Sequence, residues 1–244
     1  MPPTHSPATL ENLLFLDIET VSCVASYQEL SEPLKRFWDK KAATLGATEP
    51  QQVSKLFFER AAIYAEFGKI ITIGLGYITF SSDQEPRLRV KCLSNHDEKA
   101  LLHDFCEMLS TKFQQDALCL CAHNGKEFDF PYLCRRMLVQ GIPLPQVLDT
   151  TGKKPWEVKH LDTMEMWKFG DRKNFSSLDL LATLFGIPSS KGEMDGSQVN
   201  HCYYIDEDLN KIAAYCMQDI VTTVQVFRKL SSQAYIQPAH ITFI

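Results

Sequence analysis

The stretch Ile70 to Phe80, rich in Ile, Thr and Tyr, reads as one long strand. Ser81-Ser82-Asp83 supplies a turn, and Leu88 to Leu93 returns with alternating apolar and polar residues, so the two strands form a hairpin. Two shorter apolar runs, Leu13 to Ile18 and Ala117 to Ala122, read as buried strands. Between the first of these and the hairpin lies Tyr27 to Phe67, which looks helical with a break around Gly46 to Pro50. Between the hairpin and the last strand lies an amphipathic run with Leu101, Leu102, Phe105, Cys106 and Leu109, behind potential caps at Asn95 to Asp97. Further helices are expected over Pro131 to Gln140, stopped by Gly141, and over Ser176 to Phe185, ended by Gly186 and Pro188. The longest spans Asp206 to Leu230, with an acidic first turn and a stripe of Leu209, Ile212, Cys216, Ile220, Val224 and Phe227. Lys191 to Asn200 reads as a polar loop and Met1 to Ala8 as a loose arm. This order predicts an α/β fold, a mixed sheet flanked by helices. It is expected to form a single domain over residues 1–244, with a core over about 10–232 and a helical insertion at about 27–67.

Hydrophobic residues make up 45% of the chain and charged residues 23%, an ordinary globular balance. No apolar run is long enough to span a bilayer, and no basic cluster followed by an apolar stretch opens the chain, so a cytoplasmic protein without a membrane partner is expected. None of the 8 cysteines sits in a Cys-x-x-Cys pair, which predicts reduced thiols and no zinc site. The net charge of −5 argues mildly against a nucleic-acid partner. A site that holds cations must carry carboxylates, however, and basic residues do cluster at Arg135-Arg136, Lys153-Lys154 and Lys168 through Arg172-Lys173.

The acids in question are Asp17, Glu19, Asp129 and Asp219. Asp17 and Glu19 end a strongly apolar strand and, two residues apart, share one face. Such a pair repels itself unless a cation intervenes, although a strand end reaching solvent would also explain it. Asp129 closes the turn His123-Asn-Gly-Lys-Glu-Phe-Asp between a strand and a helix, where open α/β sheets place ligands. A helix cap is the plainer reading of Asp129. Asp219 interrupts the apolar stripe of the long helix, one turn after Tyr215, and needs a partner that either a metal or a basic side chain would supply. Together these acids come from three separate elements, and hard oxygen donors of this kind suit magnesium or manganese.

Phe15-Leu-Asp17-Ile-Glu19-Thr20, Asn124-Gly-Lys-Glu-Phe128-Asp129 and Tyr215-Cys-Met-Gln-Asp219 resemble the three motifs of the exonuclease superfamily named for its Asp-Glu-Asp-Asp quartet, in the tyrosine version. The second motif is similar to that of proofreading domains of family B DNA polymerases, as are Glu66-Phe-Gly-Lys-Ile70 and Leu161-Asp-Thr163. The resemblance runs over roughly residues 10 to 230 and implies a ribonuclease H-like fold. It implies a stand-alone 3′–5′ exonuclease with two divalent metal ions, Mg2+ or Mn2+, held by Asp17, Glu19, Asp129 and Asp219. Tyr215 would orient the attacking water, and Thr20, Asn124 and Phe128 would contact the substrate. The partners implied are nucleic-acid 3′ ends and replication or repair proteins, with frayed or single-stranded DNA the expected substrate. An RNA 3′-end-trimming enzyme and a non-catalytic nucleic-acid-binding module on the same scaffold are the alternatives. Asp162 matches a recurrent position outside the quartet, where a cap or hydrogen-bonding role is expected.

Overall fold

In a computed structural model, which describes residues 10, 12–114, 116–171, 173, 175–188 and 194–244, the chain forms a six-stranded mixed sheet. The strands are β1 (Leu13–Ser22), β2 (Gly68–Phe80), β3 (Pro86–Ser94), β4 (Cys119–Ala122), β5 (Leu161–Asp162) and β6 (Ile241–Phe243), in the order β5-β4-β1-β2-β3-β6. β2 runs antiparallel to both β1 and β3, whereas β4 lies parallel to β1, β5 to β4 and β6 to β3. The hairpin read from Ile70 to Leu93 is therefore present, with Ile78 paired to Leu88. The C-terminal stretch Ile241 to Ile244, for which docking on a partner is an equally plausible sequence reading, pairs through Ile241 to Phe243 with Leu88 to Val90 of its own sheet.

Eight helices surround this sheet among the described residues: α1 (Glu32–Thr44), α2 (Pro50–Arg60), α3 (Glu98–Lys112), α4 (Asp129–Val139), α5 (Thr163–Lys168), α6 (Leu178–Phe185), α7 (Val199–Tyr204) and α8 (Leu209–Leu230). Strand alternation decides which face each covers. The even positions of β1, Leu14, Leu16 and Ile18, join Ile73 and Leu75 of β2 under Phe105 and Leu109 of α3 and Leu133 and Met137 of α4. The odd positions Leu13 and Phe15 meet Ile220, Val224 and Phe227 of α8, with the Phe15 and Phe227 rings edge-to-face at 5.3 Å.

Two glycines set how closely α8 approaches. A Cβ at Gly74 would lie 2.6 Å from Cys216 Sγ, and one at Gly76 2.5 Å from Ile220 Cγ2. Any larger residue would push the helix off the sheet.

The helices between β1 and β2 carry a small core of their own. Trp38 is fully buried, donates through Nε1 to the Val53 carbonyl at 3.2 Å, and packs edge-to-face on Phe57 and Phe67. This body is tied to the rest through an ion-paired arginine that also holds one of its carbonyls. Arg136 of α4 donates to both Glu98 oxygens, at 2.9 and 2.6 Å, and to the Ala65 carbonyl at 2.8 Å. Arg136 is thus a structural cation, not part of a basic surface. α7 replaces the latter part of the polar loop expected over Lys191 to Asn200, because Val199 and Cys202 bury against Val21, Ile71 and Ile212. The remainder of that loop at 191–193, Glu193 included, lies outside the described residues, as do Arg172, Asn174 and the N-terminal arm. No described helix is long and apolar enough to cross a membrane.

Candidate active site

β1 does not stop at Ile18. It continues to Ser22, with a register shift between Glu19 and Thr20. Asp17 and Glu19 therefore extend the face that carries Leu13 and Phe15, and this face meets α8. One ligand atom from each of Asp17, Glu19 and Cys216 lies within 4.8 Å of the others. The pair consequently sits under a helix rather than in open solvent, and Glu19 is buried.

Asp129 opens α4, but it does not cap that helix. Its Oδ1 accepts the backbone N–H of Ile18 at 3.1 Å, between the two acids of β1. The turn before it is braced by Asp162, whose carboxylate accepts from the N–H groups of Asn124 (2.9 Å), Lys126 (3.1 Å) and Met164 (2.9 Å). Asp162 thereby caps α5 and fixes the motif turn, the hydrogen-bonding role its position suggests. Asn124 takes a left-handed φ of 62°, a conformation asparagine tolerates better than most residues. His123 bridges the Thr163 hydroxyl (2.8 Å) and the Ser176 carbonyl (2.9 Å), and burial lowers its pKa, so it is a neutral brace.

Asp219 and Tyr215 come from α8 on one face, and the Tyr215 side chain is hydrogen-bonded to Asp219. Burial, then the charges of Asp219 and Glu19, push the Tyr215 hydroxyl well above its ordinary pKa, so it stays protonated. Burial is also the main cause that raises Asp17, followed by Glu19, Asp129 and Asp219. Glu19 is raised by burial, Asp219 and Asp129, and burial pushes Asp129 to about 7. Among the described residues, no lysine, arginine or histidine forms an ion pair with Asp17, Glu19 or Asp129. The bland readings, a solvated strand end for the pair and a helix cap for Asp129, do not hold here.

Cys216 escapes a sequence reading because it belongs to the apolar stripe, yet its Sγ lies 3.4 Å from Asp17 Oδ2. Burial first, then Cys92 and Asp17, push its thiol well up. Without a metal it therefore remains an S–H donor beside Asp17, while the four motif acids offer carboxylate oxygens. This all-oxygen, charge-repelling set fits a hard divalent ion such as magnesium or manganese.

Of the four acids, Glu19 lines a cavity of about 1000 Å³, together with Thr20 and Phe128. Thr20 faces it, but its hydroxyl donates to the Ala62 carbonyl at 2.9 Å. Asn124 is not among the residues that line it. Further lining comes from the segment between β1 and β2 and from α7, neither of which carries a motif to flag it.

The family described as "Predicted 3'-5' exonuclease related to the exonuclease domain of PolB" matches residues 63–237. In structure, the chain is similar to the family B DNA polymerase from the hyperthermophilic archaeon Pyrobaculum calidifontis, with a TM-score of 0.55 and 15% identity over 89% of this chain. It spans only 24% of that polymerase. The RNase domain of the yeast Pop2 protein aligns with a TM-score of 0.41 and 13% identity, over 96% of this chain and 82% of that domain. No curated protein matches the chain in sequence. The fold is ribonuclease H-like, and the chain belongs to the family of 3′–5′ exonucleases related to the exonuclease domain of PolB.

Proposed function

We propose that this enzyme removes nucleotides one at a time from the 3′ end of single-stranded or frayed DNA, releasing nucleoside 5′-monophosphates. The observation that carries the reading is the convergence of Asp17, Glu19, Asp129 and Asp219 from β1, α4 and α8 on one buried locus. Bound by Asp17, Glu19 and Asp219, with Asp129 supporting a second ion, magnesium or manganese would activate water and stabilise the departing 3′ oxygen. The protein forms no covalent bond. Its residues position and exclude: Tyr215 offers a hydroxyl that stays protonated, and Phe128 offers a ring face for a base. The relation to polymerase proofreading domains favours DNA and a setting in replication or repair. The cysteines described are all free, which suits a reducing, cytoplasmic compartment.

The test is incubation with 5′-labelled single-stranded DNA, duplex DNA with a mismatched 3′ end, and RNA, each with and without magnesium or manganese. A metal-dependent descending ladder on DNA is expected. A ladder on RNA alone would move the enzyme to RNA trimming, and binding without cleavage on any substrate would leave only a binding module.

Tyr215→Phe tests the mechanism. Loss of a single orienting hydroxyl should lower kcat by roughly 10–1,000-fold with little change in KM. An unchanged kcat at matched metal concentration would leave Tyr215 as a packing residue.

A further inference from the structure

The stretch that closes the segment between β1 and β2 is held to the acid-bearing scaffold by side chains from three other elements. Asn200 of α7 donates through Nδ2 to the Phe58 carbonyl at 2.8 Å, and its Oδ1 accepts the Ser22 N–H at 2.9 Å. Thr20 of β1 and Tyr132 of α4 both donate to the Ala62 carbonyl at 2.9 Å. Arg136, also of α4, holds the Ala65 carbonyl. Hydrogen bonds of this kind contribute about 1 kcal/mol each, so residues 58–65 form a fixed wall rather than a loose flap. This wall contributes Phe58, Glu59, Arg60, Ala62 and Ile63 to the lining of the 1000 Å³ cavity, which Phe128 also lines. Ile63 is 46% exposed although apolar, and Arg60 is exposed and forms no ion pair among the described residues.

An apolar, partly aromatic face in a cavity that is also lined by a second ring, a cation and the Glu19 carboxylate matches the parts of a terminal nucleotide. The base needs flat apolar contact, the phosphate a positive charge, and the scissile bond the acids. We propose that Phe58 and Ile63 form the outer wall of the 3′-terminal base site and that Arg60 contacts a backbone phosphate. This rests on the exonuclease reading, and it makes a segment outside the three motifs part of substrate binding.

The experiment compares wild type, Phe58→Ala, Ile63→Ala, Arg60→Gln and, as a control, Phe37→Ala on the exposed face of α1. Steady-state kinetics on single-stranded DNA are combined with calorimetric binding of deoxyadenosine 5′-monophosphate to the manganese-loaded protein. Phe58→Ala should raise KM and weaken mononucleotide binding by about tenfold, within the range for one lost stacking contact, with kcat within a few-fold of wild type. Ile63→Ala should do the same to a smaller degree at an exposed position where misfolding is not at issue. Arg60→Gln should make the log–log salt slope of binding shallower by about 0.7, the value for one phosphate contact on a single strand. Phe37→Ala should match wild type. An active wild type whose Ile63→Ala and Arg60→Gln variants keep their KM, mononucleotide affinity and salt slope overturns the wall. A wild type inactive on every nucleic acid overturns the exonuclease reading instead, and mononucleotide binding by the same variants still decides the wall.

Discussion

Asp17→Asn is expected to abolish hydrolysis while raising the melting temperature of the metal-free protein at pH 8. The two effects share one cause. Burial and the neighbouring Glu19, Asp129 and Asp219 all disfavour a charge at Asp17, so the ionised carboxylate strains the fold unless a cation is bound. The amide keeps the shape of the side chain and removes that charge. Activity should fall by at least about a thousandfold, since several kcal/mol of charge stabilisation go with the lost ligand. Each kcal/mol of relieved repulsion should raise Tm by about 2–4 °C in a chain of this size. Activity assays and thermal melts after chelation read both quantities. Retained activity would remove Asp17 from the site. A lower melting point in the metal-free variant would mean that the carboxylate is already neutralised within the protein.

The second expectation is a pH dependence that metal reverses. Asp129 has a folded-state pKa raised from 3.8 to about 7, chiefly by burial. A raised carboxylate contributes stability that is fully present below its unfolded pKa near 4 and is lost as pH rises through about 7. The loss attributable to this group is on the order of 4 kcal/mol, and Asp17 and Glu19 act in the same direction. His160, lowered to about 4 by burial, and His123 work oppositely, but only below their unfolded value of 6.5. The Asp129 loss accrues between about pH 4 and 7, and comparing wild type with Asp129→Asn, which keeps both histidines, isolates it over that window. Over it, metal-free wild type should lose stability relative to Asp129→Asn as pH rises, and saturating magnesium or manganese should shrink that difference near pH 7. Denaturant melts at intervals across that window provide the measurement. Identical wild-type profiles with and without metal would contradict a cation site at these acids.

The sheet was legible because its strands announce themselves through composition. Ile70 to Phe80 and Leu13 to Ile18 have few apolar alternatives, and the break at Gly46 to Pro50 does separate α1 from α2. What escaped depends on tertiary context. β5 is only Leu161–Asp162, too short for any periodic signal. α7 carries little amphipathic pattern and is held by Asn200 bonded to Ser22. The motif acids were legible as residues, whereas their shared burial was not. Asp129 could equally cap its helix until the Ile18 N–H is seen to claim it. Cys216 looked like core because it is core, on the side that touches Asp17.

Gly74 and Gly76 carry no functional group, yet they govern the reach of Asp219. Side-chain atoms of Cys216 and Ile220, which flank Asp219 on α8, lie 2.6 and 2.5 Å from where Cβ atoms at these two positions would stand. The gap between the acids of β1 and the acid of α8 is thus a standoff length, set by atoms that are missing. A substitution there would leave every acid of the quartet in place, so that a motif search would pass the chain as intact. The helix would nevertheless be lifted, and the carboxylates would be drawn apart. Competence in such a protein is a matter of clearance as well as chemistry, and a relative could lose activity by gaining a methyl group on β2.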